Sequence, residues 1–272
     1  MVVDSERWGL STAQGAHAPP TLRVLRYYAH AYRRMWRSSV TVSFLYPVMY
    51  LTAMGLGLGT LINHHVHLVD HVKYLDFIAP GLLAATAMQI ATNDSMFPVM
   101  AAIKWIRTYF AMLATPLTVD DVLIGHLAWI AVRLTMMGTI YLGVMAAFGV
   151  VHSLLAIVAL PVTVLIGIAF AAPISAFSAA QENERSFILI YRLGLIPLFL
   201  FSGTFFPVTQ LPGWLQVVAY CTPLYHGVHL ARALVLGQAQ LWPLLGDVAY
   251  LASLAVIGTL LARISYRRRL VV

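Results

Sequence analysis

The sequence predicts an all-α integral membrane protein with six transmembrane helices, and three observations carry that reading. Hydrophobic residues make up 60% of the 272 and charged residues only 10%, whereas a soluble domain carries about a quarter charged residues. The mean hydropathy is +0.81. The apolar residues fall into six long stretches, and the cations lie outside them on alternate connections. A membrane-spanning β-barrel would instead alternate apolar and polar residues over segments of about ten. The apolar runs here are unbroken, and a helix pairs its own backbone polar groups in lipid.

Residues 1–20 read as a flexible N-terminus. Over 21–37, Leu22, Leu25, Tyr28, Tyr32, Met35 and Trp36 recur at three- and four-residue spacing, with Arg23, Arg26, Arg33, Arg34 and Arg37 between them. Aromatic residues interleaved with arginines suit an amphipathic helix lying in the membrane interface. A basic flank that only sets topology is the alternative. Thr21, after Pro19-Pro20, is placed to cap the helix.

A crossing needs about 20 apolar residues. The spans read as roughly 38–61, 77–98, 122–148, 154–179, 187–206 and 244–264, with Phe148-Gly149-Val150-Val151-His152-Ser153 breaking the third from the fourth. Fourteen of the 17 Lys and Arg fall on one side: from Arg7 to Arg37, at Lys104 and Arg107, at Arg185 and Arg192, and from Arg263 to Arg269. The other side keeps Lys73 and Arg232, and Arg133 lies within a span. Both termini, including the basic tail 265–272, are therefore expected in the cytoplasm. The net charge of +7 follows from this bias, and no nucleic-acid partner is expected. The single cysteine, Cys221, excludes an internal disulfide. The first span is expected to act as an uncleaved signal.

The connections carry more than topology. The stretch 100–118 is too apolar for a solvated loop and too charged for a span, and reads as a short helix on the cytoplasmic surface. Thr115-Pro116 marks a turn. Thr118 is placed to cap the next helix, with Asp120 and Asp121 in its first turn. Such a helix either docks a partner or packs only on its own chain. The fifth-to-sixth connection is apolar but broken by Pro207, Pro212 and Pro223. Non-helical backbone at membrane depth must be buried in protein or line a cavity, so 209–236 reads as a re-entrant hairpin of short helices.

Some residues invite specific roles. Gly55 and Gly59, four apart, permit close helix approach, either between subunits or within one. Arg133 sits 12 residues beyond Asp121, about 18 Å along a helix. An ionisable group at that depth needs a partner, and Asp94 is available; a later entry into the membrane is the alternative. His64, His65, His67 and His71 cluster on the outer loop without a nearby Cys or Glu, and a polar loop is expected there rather than a metal site. There is no G-x-S-x-G motif and no G-x-x-x-x-G-K-[ST] phosphate loop. Gly55-Leu-Gly57-Leu-Gly59-Thr60 lacks the lysine. This chain is therefore expected to bind no cofactor and to catalyse nothing. A proton-coupled secondary transporter would need mid-membrane ionisable groups, of which Arg133 is the candidate. A membrane-embedded enzyme would need a convergent cluster, for which the outer histidines are the candidate.

Tyr74-Leu-Asp-Phe-Ile-Ala-Pro-Gly81, Ala114-Thr-Pro-Leu117, Phe201-Ser-Gly-Thr-Phe-Phe-Pro207, Leu211-Pro-Gly-Trp214 and Thr222-Pro-Leu-Tyr-His-Gly227 resemble, in that order along the chain, the permease subunits of ABC-2 type exporters. The region 201–227 is most similar to nodulation-type lipooligosaccharide exporters and daunorubicin-resistance permeases. The resemblance runs from about residue 21 to the C-terminus. It implies the interface helix, a coupling helix over 100–118 and the re-entrant hairpin. It also implies a bacterial inner membrane, a second permease copy or homologue, and a separate cytoplasmic ATPase that binds ATP and Mg.

Lys104, Trp105, Arg107, Thr108, Tyr109, Leu113 and Pro116, with Glu182 and Glu184 of the next cytoplasmic turn, are the expected ATPase contacts. Phe199, Phe201, Phe205 and Phe206, with Gly55 and Gly59, are expected at the path or gate. Their apolar character suits an amphiphilic cargo: a lipid, a glycolipid or a hydrophobic drug.

Overall fold

The computed structural model describes residues 19–33, 45, 48–58, 73–238 and 240–271, with backbone alone at 55, 56 and 58. Among these residues the regular structure is entirely helical. Four helical runs are long and apolar enough to cross a membrane: Tyr74–Trp105, Val119–Ala147, Leu154–Ala180 and Leu241–Leu270. Each exceeds the roughly 20 residues a crossing requires.

Helix α1 spans Pro20–Tyr32. It begins on proline, whose fixed φ suits a first helical position. A π-helical segment, Thr52–Leu58, lies within the expected first span. Residues 48–51, just before it, are helical too, while most of the remainder of that span lies outside the described residues, as do Gly59, the side chain of Gly55, and His64, His65, His67 and His71.

Helix α2 covers Tyr74–Ser95. A kink at Met96 follows, and the run continues through Phe97–Met100 and a π-helical turn, Ala101–Trp105. Pro98 supplies no N–H to the ladder there, which loosens the run just past the kink.

The single helix expected over 100–118 is two pieces. Arg107 adopts a left-handed conformation at φ 57, which ends one run before α3, Thr108–Leu113, begins. After the turn at Thr115-Pro116, Thr118 caps α4, Val119–Ala147, in a reciprocal box with Asp121. The side-chain oxygen of Thr118 accepts from the Asp121 amide at 3.2 Å, and the Asp121 carboxylate accepts from the Thr118 amide at 2.9 Å.

A 3-10 turn, Leu154–Val158, leads into α5, Ala159–Ala180. This helix packs against α2, α4 and the two last helices, so it occupies the centre of the bundle. Its alanines 169, 171 and 172 are fully buried, and such small side chains bring helix axes close.

Helix α6 is composite: Arg185–Leu189, a π-helical segment Ile190–Leu195, then Ile196–Phe201. It ends at Phe201 rather than near 206. The Ser202 hydroxyl donates to the Leu198 carbonyl at 2.5 Å, and Gly203 takes φ +78, a conformation that stops a helix.

Two short helices follow, α7 at Gly213–Tyr220 and α8 at Pro223–Leu236, the second capped by Thr222 and closed by Gly237 at φ 72. The last helix, α9, runs Leu241–Leu270. Gly258 lets it lie against Pro173 of α5, where a Cβ would come within 2.5 Å of the proline ring.

Candidate functional site: the basic end of the bundle

Helix α1 lies along the first half of α4. Gly125 makes this possible, because a Cβ there would sit 2.6 Å from the side chain of Val24, itself 1% exposed. Thr21 does not cap α1. Its hydroxyl instead reaches Asp121 Oδ1 at 3.4 Å, since Pro19 occupies the capping position.

The Tyr28 hydroxyl hydrogen-bonds both the Tyr109 hydroxyl and His126 Nδ1, each at 3.1 Å. Tyr32 meets Trp129 edge-on, with ring centroids 5.4 Å apart. Tyr109 in turn lies 5.7 Å from the Tyr266 ring of α9. Burial pushes the phenols of Tyr28 and Tyr109 well above their ordinary value of 10.0, so both remain neutral donors and acceptors. One tyrosine chain thus joins α1, α3, α4 and α9.

The other face of the same region is open. Trp105 is 53% and Ile106 73% exposed. Lys104 Nζ donates to the Glu182 carbonyl at 2.5 Å, which ties the α2–α4 connection to the α5–α6 turn. Glu184 immediately precedes α6. Thr108 opens α3 and Leu113 closes it, while Pro116 lies in the exposed turn. Tyr109 is an exception among the expected partner contacts: it is 1% exposed and faces the bundle, so it holds the element in place and has no surface to offer. At the start of α4, Asp120 accepts from Arg263 at 2.8 and 2.6 Å and from Arg267 at 2.8 Å.

Deeper in the bundle, Arg133 donates to both carboxylate oxygens of Asp94. Their side chains are 28% and 17% exposed. The Arg133 guanidinium also lies 5.8 Å from the Tyr32 ring. Because the run past Ser95 continues to Trp105, Asp94 sits about 16 Å from its basic end, not close to it. Phe199 and Phe205 pack edge-to-face at 4.9 Å, and Phe201 and Phe206 are half-buried.

The far end holds charges that sequence reasoning passed over. His226 and His229 of α8 each present Nδ1 to one oxygen of Asp247 in α9, at 2.6 and 2.5 Å. Asp247 is 6% exposed. Arg232 donates to the carbonyls of Phe77 and Gly203 at 3.1 and 2.8 Å and lies 3.7 Å from the Phe77 ring. The available signal was a His pair three apart, followed by the one carboxylate of an otherwise apolar helix start.

Long apolar helices around a buried small-residue core, with paired charges inside and cations gathered at one end, define a polytopic membrane protein. The chain belongs to the ABC-2 type transporter family, whose model matches residues 24–236. It is 35% identical to Nodulation protein J of Rhizobium leguminosarum bv. viciae over 209 residues, 76% of this chain and 79% of that one. It is 33% identical to Nodulation protein J of Rhizobium meliloti (strain 1021) over 88% of this chain and 90% of that one. A more distant relative, 24% identical over 86% of this chain and 84% of its own length, is the probable doxorubicin resistance ABC transporter permease protein DrrC of Mycobacterium tuberculosis (strain CDC 1551 / Oshkosh). The ABC-2 resemblance read from the motifs is thereby confirmed.

Proposed function

We propose that this chain is the six-span permease subunit of an ATP-driven exporter, paired with a second permease and powered by a separate cytoplasmic ATPase that carries the ATP and Mg. The observation that carries this reading is the two-faced connection at the basic end. Its inner face is anchored through Tyr109 to Tyr28 and Tyr266, so a push on the connection reaches α1, α4 and α9. Its outer face leaves Trp105 and Ile106 exposed, and apolar residues exposed in this way fit a protein partner. Glu182 and Glu184 complete the contact from the neighbouring turn.

The basic end faces the cytoplasm of a bacterial inner membrane, in keeping with the excess of cations there. The cargo is amphiphilic, a lipid, a lipooligosaccharide or a hydrophobic drug, consistent with the doxorubicin resistance in the printed name of one relative. It passes beside Phe199, Phe201, Phe205 and Phe206, with Gly55 and Gly59 at the contact between halves.

The test is co-purification with an ATPase of the phosphate-loop type. The Trp105→Ala, Ile106→Asp double variant is expected to lose the ATPase while keeping its own thermal stability, and export should stop with it. Transport that proceeds without ATP would sink the reading. It would favour proton coupling instead, for which the Arg133–Asp94 pair and the histidine-bound Asp247 are the available groups.

A further inference from the structure

Four cations border one cleft of about 550 Å³ at the basic end: Lys104 and Arg107 from the α2–α4 connection, Arg268 and Arg269 from the last turn of α9. Ile103 and Phe110 supply its apolar lining. Among the described residues, the carboxylate recorded against this group is Glu182, which lies 3.9 Å from Arg269 and is 78% exposed. Arg107 and Arg268 have no side-chain partner among the described residues. Arg107 is also the one non-glycine residue at positive φ among them. A left-handed backbone is unfavourable for a residue with a Cβ, and glycine would adopt it freely, yet the position carries a guanidinium aimed into the same region as three other cations. Four like charges gathered around a cleft repel one another and concentrate anions there.

The location narrows the anion. Two membrane-length runs end at this cleft, one at Trp105 and the other at Leu270, and both are longer than the hydrocarbon layer requires, which puts their ends at the level of the headgroups. Cations beside apolar side chains at that depth match a molecule with a phosphate at one end and hydrocarbon at the other. Planar guanidinium forks hold phosphate oxygens in pairs.

We infer that this cleft binds the phosphodiester headgroup of an anionic phospholipid, with Arg107, Arg268 and Arg269 on the phosphate and Ile103 and Phe110 against its apolar part. The inference needs the membrane setting alone and not the partnership with an ATPase. Lys104 and Arg107 also belong to the proposed ATPase contact, so the test uses Arg268 and Arg269, which do not.

The full-length chain, purified in detergent, is titrated with phosphatidylglycerol and with phosphatidylcholine of identical acyl chains, and bound lipid is counted by native mass spectrometry. Phosphatidylglycerol is expected to bind preferentially, with the preference shrinking as salt rises. The Arg268→Gln, Arg269→Gln variant should weaken phosphatidylglycerol binding by about thirtyfold, roughly fivefold per arginine, and leave phosphatidylcholine binding unchanged. Arg268→Lys, Arg269→Lys keeps the charge and should keep part of the preference, which separates a lost site from a misfolded one. Equal binding of the two lipids by the unaltered chain would overturn the inference. So would a preference untouched by the glutamine variant, displacement of the lipid by equimolar inorganic phosphate, or a glutamine variant that loses the ATPase while keeping the lipid.

Discussion

The two ends of the bundle treat charge in opposite ways. At the far end the buried charges are answered from within: Asp247 by two imidazoles, Arg232 by two carbonyls and a ring, and Asp76 by His152 at 3.2 Å. At the basic end the buried contacts are neutral, tyrosine to tyrosine and tyrosine to histidine, while the cations stand outside with few partners. A buried ion left unpaired is costly, so the far end is locked by its own side chains. An exposed cation costs little to leave unpaired, so the basic end is free to accept other molecules. The contrast separates the part of the fold that holds itself from the part that receives.

The sharpest way to break this contrast is the pair that lies between the two ends. Arg133→Leu strands Asp94 and is expected to cost on the order of 3 kcal/mol and to abolish export. The double variant Asp94→Leu, Arg133→Leu should recover most of the thermal stability but not export. Recovery of both would reduce the pair to a structural role.

Next in size is Asp247→Ala, which leaves two imidazoles without their acceptor and should cost about 2 kcal/mol in denaturation. At the basic end, Asp120→Ala removes exposed ion pairs and should leave the melting temperature nearly unchanged. Equal losses at the two ends would erase the distinction.

Gly125→Leu would drive a side chain into Val24. It should detach α1 with a cost of about 1–3 kcal/mol, read as new protease sensitivity within 20–32.

The smallest effect is spectroscopic. The folded pKa of Tyr28 and Tyr109 is raised, so their contribution is whole below their ordinary value of 10.0 and is lost as pH climbs past it. An absorbance titration at the tyrosinate band should show at least two of the 13 tyrosines ionising only as the protein unfolds. Early ionisation of all of them would mean that the tyrosine chain is open to water.

The long helices were legible because hydropathy over about 20 residues is a strong signal. The Thr118 cap was legible because a capping box is local chemistry. The break at Arg107 was not, because nothing in the local sequence announces a left-handed arginine. The kink at Met96 hid the depth of Asp94, and the sequence left its pairing with Arg133 open against a later entry of that helix into the membrane. Tyr109 was read as surface because its neighbours Lys104, Trp105 and Arg107 are. Tyr28 of α1 and Tyr266 of α9, brought from opposite ends of the chain, meet it there. The Asp247 cluster needed the juxtaposition of α8 and α9, and Gly125 needed the position of Val24, about a hundred residues earlier in the sequence.

That last separation governs how the molecule is made. The Thr21–Asp121 contact spans 100 positions, so α1 leaves the ribosome well before α4. At ordinary synthesis rates its landing place on α4 follows about 5–20 s later. Meanwhile its aromatic and basic faces give it a membrane surface to lie on. The Tyr266 contact closes later still, when the last helix is complete. The tyrosine chain is therefore a late event in biogenesis, and a chain truncated before α9 should insert its earlier helices yet leave the α2–α4 connection unanchored.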